Sequence, residues 1–204
     1  TALSGIGGST TGAVTVSKAV KVTGSVSQLT DALVTGGSTV SAGTALVTIT
    51  DTAFHATTNT ATIAATSLSA IGNKTTGTVT VSKAVKVTGS ASELTDALVS
   101  GSKKVEAGLA LVTVTDSAFH ATNNTATIAA TTLSGIGGTT TGAVTLKNKV
   151  RISGTQSEVT TALIGGSSVV ASQTATEAVV TNAVNASEGA AISNVSKIKG
   201  IFSG

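Results

Sequence analysis

The stretch TTGAVTVSKAVKVTGS at residues 10–25 recurs as TTGTVTVSKAVKVTGS at 75–90 and, with drift, as TTGAVTLKNKVRISGT at 140–155. A second block, TDTAFHATTNTATIAAT at 50–66, returns as TDSAFHATNNTATIAAT at 115–131. The chain is therefore three copies of a 65-residue unit, at about 1–65, 66–130 and 131–195. Self-similarity at such a period marks stacked units that share a core only with their neighbours.

Each unit further divides in two when its Val-Thr strands are aligned. Val14, Val47, Val79, Val112 and Val144 follow one another at 32 or 33 residues, with a degenerate sixth near Val179. In the odd halves VTVS leads to a corner at Lys18-Ala19 and a second strand at Val20–Thr23, and Gly24 then precedes SVSQLTDAL. In the even halves LVTIT leads to a corner at Asp51-Thr52, a second strand centred on Phe54 and Ala56, and then TATIAATSL. Alternation at Val14/Val16 and Val20/Val22 is the period-2 signal of half-buried strands. Leu29, Ala32 and Leu33, or Ile63, Ala64 and Leu68, approximate the spacing of a short helix, with Ser25, Ser27 and Thr60 as candidate N-caps.

The expected fold is a repeat solenoid, mainly β, in a single domain over 1–204. It has about six stacked coils of strand, corner, strand and short helix, roughly 32 residues each. Stacking them gives parallel sheets with a row of short helices. Val14, Val16, Val20, Val22, Leu29 and Leu33 should point inward, with Val79, Val81, Val85, Val87, Leu94 and Leu98 above them. Phe54 and Phe119 should share a core stack with Val184. The corner residues Lys18, Asp51, Lys83 and Asp116 should alternate in sign up one edge of the stack, an inter-coil charge ladder that would resist slippage by one coil.

Composition points to a durable extracellular or cell-surface protein. Thr and Ser make up about a third of the chain, charged residues 10%, and the only aromatics are three Phe. A core without large aromatics must be thin, filled by Val, Ile, Leu and Ala. With no Cys, thiol chemistry and thiolate metal sites are excluded. The lack of Met suggests a processed chain or an excised segment. No stretch approaches the length of a membrane-spanning helix, so membrane insertion is not expected. The two ends stand at the same phase of the repeat, and residues 166–204 depart from it. That region is the expected capping or assembly surface, mating with the end around Val14–Val22 of another copy.

Three strings carry a family resemblance: TTGxVT, VKVTGS followed by xxELTDAL, and LVTVTDSAF. They resemble the repeat arrays of very large secreted bacterial surface proteins, cyanobacterial and proteobacterial, across about residues 1–165. The resemblance implies an adhesin-like or fibrous structural role and carries no catalytic residues.

Enzyme chemistry finds no footing, and no cofactor is expected. The two His, His55 and His120, occupy equivalent positions beside Phe54 and Phe119. Two coils at a strand spacing of about 4.8 Å would hold them roughly 10 Å apart, too far to share one metal ion. Gly5-Ile6-Gly7-Gly8 lacks the Lys and the spacing of a phosphate loop. The first functional expectation is a structural module of a surface protein, adhesin or fibre, its partner another copy or a flanking repeat, assembling head-to-tail into filaments. One alternative is binding of an acidic surface polysaccharide by a polyanion strip of Lys18, Lys21, Lys83, Lys86, Lys147, Lys149 and Arg151. The net charge is only +3 and no aromatics interleave with the strip, so nucleic acid is not an expected partner. The other alternative is ice or crystal binding through Thr ladders such as Thr48/Thr50, Thr78/Thr80 and Thr113/Thr115.

Overall fold

The computed structural model describes residues 2–35, 40–57, 60–100, 105–120, 126–164, 169–170, 177–182, 187, 190 and 199–202. At 169–170 and 199–202 only the backbone is described. The first repeat carries five strands: β1 (Val14–Thr15), β2 (Lys21–Gly24), β3 (Val40–Ser41), β4 (Leu46–Ile49) and β5 (Thr62–Ala64). The second repeats the set as β6 (Val79–Val81), β7 (Lys86–Gly89), β8 (Val105–Glu106), β9 (Leu111–Val114) and β10 (Thr127–Ala129). The third supplies β11 (Val144–Leu146), β12 (Arg151–Gly154), β13 (Val169–Val170), β14 (Glu177–Val180) and a last strand, β15 (Lys199–Phe202). Six short α-helices are described: α1 (Ala2–Gly8), α2 (Val26–Thr30), α3 (Ala65–Gly72), α4 (Ala91–Leu94), α5 (Ala130–Gly137) and α6 (Gln156–Leu163). A π-helical turn follows α2 at Asp31–Thr35 and another follows α4 at Thr95–Val99.

This is a mixed α/β architecture of four small parallel sheets and short helices. It corrects the expectation of a mainly β solenoid of six equal 32-residue coils. The aligned valines do not form one ladder. Val47 pairs with Val79 and Val112 with Val144, each 32 residues on, as expected. Val14, however, pairs with Val40, and Val79 with Val105. Val40–Ser41 is a strand where a loop was expected, and Thr62–Ala64 is a strand where a helix was expected. At Phe54 and Ala56 no strand is formed among the described residues; His55 and Thr60 make an isolated bridge there.

The count of five has a topological consequence. Through β14, odd-numbered strands share sheets only with odd-numbered strands, and even with even. Five is odd, so equivalent strands of consecutive repeats fall into different sheets. Thus β2 pairs with β4, while its counterpart β7 pairs with β5. A half-repeat cannot be the stacking unit under that rule.

The chain divides into two compact units, Thr1–Thr88 with Asp96–Ala110, and Gly89–Thr95 with Leu111–Gly204. In the first unit Ile49, Leu68, Ile71, Val79, Val85 and Leu98 are buried; in the second, Leu94, Leu133, Ile136, Leu146, Ile152 and Val159. Each such side chain contributes about 1.5–3 kcal/mol on burial. Among the described side chains no Phe is fully buried, so the core is made of aliphatic residues.

Local signals set the helix starts and the turns. Ser25, Ser90 and Thr155 cap α2, α4 and α6 through reciprocal boxes with Gln28, Glu93 and Glu158, each satisfying amides that a helix leaves unpaired. Ser27 lies inside α2, and α3 starts after Ala64 with no side-chain cap, so Thr60 is not a cap. The Thr-Thr-Gly motif is a turn held by its first hydroxyl. Buried Thr75 Oγ1 donates to the Ala45 carbonyl at 2.6 Å and accepts from Gly77 N at 2.9 Å. A Cβ on Gly77 would come within 2.8 Å of the Ala45 carbonyl carbon, so close backbone approach requires glycine there.

Candidate interaction surface

The charged corner residues serve the helices. Asp51 Oδ2 accepts from Val26 N at 2.7 Å, at the first turn of α2, and Asp116 Oδ2 accepts from Ala91 N at 2.7 Å, at the first turn of α4. The third copy repeats the bond with an amide, Asn182 Oδ1 accepting from Gln156 N at 2.7 Å. A carboxylate at a helix N-terminus satisfies an orphan donor and complements the dipole. Lys18 and Lys83 are exposed, and none of Lys18, Asp51, Lys83 and Asp116 joins an ion pair among the described residues. Asp51 and Asp116 are therefore long-range caps, each acting 25 residues back along the chain.

The basic residues behave in two ways. Lys18, Lys21, Lys83, Lys147 and Lys149 are exposed. Lys86 and Arg151 are half-buried, each laid on an aromatic ring. Lys86 Nζ is 5.1 Å from the Phe54 ring centre, and the Arg151 guanidinium is 3.8 Å from that of Phe119. Arg151 also forms an ion pair with Glu177 at 3.3 Å. These contacts occupy two of the seven cations expected for a polyanion. Phe54 and Phe119 are half-buried, their rings held by cations, and Val184 lies outside the described residues, as does most of 166–204.

His55 and His120 are exposed, and no group of three or more metal-ligating side chains occurs among the described residues. Among those residues no helix is long and apolar enough to cross a membrane. The expected Thr array is short. Thr23, Thr48 and Thr80 stand in register on β2, β4 and β6, and the next position on β8 is Glu106.

The first unit carries an apolar groove of about 330 Å³ beside α1 and β2. Leu3, Ile6, Val16, Val20, Val22 and Leu29 line it. Ile6 is 56% exposed and Val20 42%. In the second copy the residue equivalent to Val20 is Val85, at 0%, and the one equivalent to Val22 is Val87, also 0%. Val16, Val20 and Val22 are expected in the core, and the end around Val14–Val22 in contact with another copy. The same side chains prove to line an open surface. Their alternation could show only that they face one way, whereas what lies against them depends on the neighbouring strand.

No family model, curated protein or solved structure matches this chain.

Proposed function

We propose that this protein is a structural repeat module of an extracellular surface protein, adhesin or fibre, and that it associates end to end with copies of itself or flanking repeats. The observation that carries this reading is the contrast between copies. VTVSKAVKVTGS occurs identically at 14–25 and 79–90, yet its valines are all buried in the second setting, whereas in the first three are half-exposed and Val20 is exposed. An exposed apolar patch beside an edge strand is a pairing surface. A composition poor in charge and free of Cys and Met suits an exposed, oxidation-resistant strut. The acidic-polysaccharide alternative is weakened because Lys86 and Arg151 are already engaged. Ice or crystal binding is weakened because Glu106 ends the Thr row.

The test is sedimentation velocity with negative-stain electron microscopy over a concentration series. End-to-end strings that lengthen with concentration are expected. A single non-associating species at every concentration would overturn the reading.

A further inference from the structure

The second and third copies show how the strand equivalent to β2 is covered. On β7, Thr62, Ile63 and Ala64 pair in parallel with Lys86, Val87 and Thr88. Lys86 N donates to the Ala61 carbonyl at 3.0 Å, Phe54 N donates to the Ala84 carbonyl at 2.8 Å, and the Phe54 ring meets the Lys86 ammonium. On β12 the same segment recurs. Thr127, Ile128 and Ala129 pair with Arg151, Ile152 and Ser153, Arg151 N donates to the Ala126 carbonyl, and Phe119 meets the guanidinium. Ala61 and Ala126, the residues just before these strands, both hold a left-handed φ of 57°. A non-glycine residue adopts that conformation at a cost, so its recurrence marks one defined covering element, built twice.

The first copy presents the same acceptor without the cover. Among the described residues β2 is an edge strand, Lys21 is exposed, and the groove opens where Val85 and Val87 are closed over in the second copy. Resting on the self-association reading, we infer that the groove and the β2 edge form an acceptor for one kind of partner, a repeat strand of the form Phe-x6-Ala-Thr-Ile-Ala from another repeat of the same type. The donor strand lies parallel to β2, with its Ile beside Val22 and its Thr beside Lys21. Its Phe ring rests against the Lys21 ammonium. Backbone pairing supplies the affinity, and the Ile and Phe supply the selectivity, as in other cases of strand addition.

The probe is a labelled synthetic peptide with the sequence of residues 52–66, titrated into the full chain, with amide NMR to locate it. Saturable binding is expected, with shifts at residues 16–29 and none at 81–90, which is identical to 16–25. Replacing the peptide residue equivalent to Ile63 (Ile63→Asp) should remove detectable binding. Phe54→Ala in the peptide should weaken it about two- to fivefold, the range of an exposed cation–π contact. Lys21→Glu in the chain should weaken the parent peptide and leave the Phe54→Ala peptide little changed. No binding, or equal binding by the Ile63→Asp peptide, overturns the inference. A chain that binds the peptide yet never self-associates keeps the acceptor and removes the end-to-end function. A chain that self-associates without being competed by the peptide keeps the function and removes this acceptor.

Discussion

Residues 14–25 and 79–90 are the same twelve amino acids in two environments. In the second, Val79, Val81, Val85 and Val87 are buried and Lys86 lies on Phe54. In the first, Val14, Val16 and Val22 are half-exposed, Val20 is exposed, and Lys21 faces solvent. Intrinsic propensity is identical in the two, so the difference comes entirely from neighbours. A residue's role is then a property of its position along the chain as much as of its type.

The largest predicted asymmetry is at the turns. A methyl group on Gly77 must displace the Ala45 backbone, whereas at Gly12 the nearest atom is its own Thr10 Oγ1 at 3.5 Å. Gly77→Ala should cost about 3 kcal/mol, the upper end of overpacking effects. Gly12→Ala should stay within about 0.5 kcal/mol. Urea denaturation followed by circular dichroism measures both, and equal losses would break the comparison.

The strand valines should differ less. Val87→Ala should cost about 2 kcal/mol, because it opens a cavity at a site with no solvent exposure. Val22→Ala, at a half-exposed groove wall, should cost less than half of that. Chemical denaturation of the two variants gives the ratio. A Val22 loss as large as the Val87 loss would mean that the groove is already closed in solution.

The caps provide the smallest and most even effect. Asp51→Ala and Asp116→Ala should each cost about 1 kcal/mol, as for loss of a helix N-terminal acceptor. Asp51→Asn should retain most of that stability, since Asn182 already makes the equivalent bond in the third copy. Thermal melts distinguish this from a charge ladder, in which Asn would be nearly as harmful as Ala.

The repeat length is written in recurring strings, the strands at Val14, Lys21 and Leu46 in period-2 valines, and Ser25 stood among three candidate caps because Ser commonly opens a helix. Val40–Ser41 was illegible because two residues are too few to alternate. Thr62-Ile63-Ala64 offers one large apolar side chain, which suits strand and helix equally, and the spacing of Ile63, Ala64 and Leu68 favours helix. Phe54 invited a core assignment by its type, but its ring partners Lys86, 32 residues away, and no local pattern encodes that. The Asp51 and Asp116 caps were hidden for the same reason. Their corner positions are visible in the repeat, but the partner amides lie 25 residues back. The groove was half legible: its lining residues and the need to cover them were readable, whereas its openness depended on strand pairing that a four-strand repeat misassigned.

The central claim is that position in the repeat array, rather than sequence, decides what the twelve-residue segment does, and hydrogen–deuterium exchange tests it most directly. Residues 14–25 and 79–90 share every side chain, so amides within them have matched intrinsic exchange rates and differ only by protection. The account predicts markedly slower exchange across 85–89 than across 20–24 in the free chain, with the gap narrowing when the Phe-x6-Ala-Thr-Ile-Ala peptide is added. Equal protection of the two segments in the free chain would contradict it.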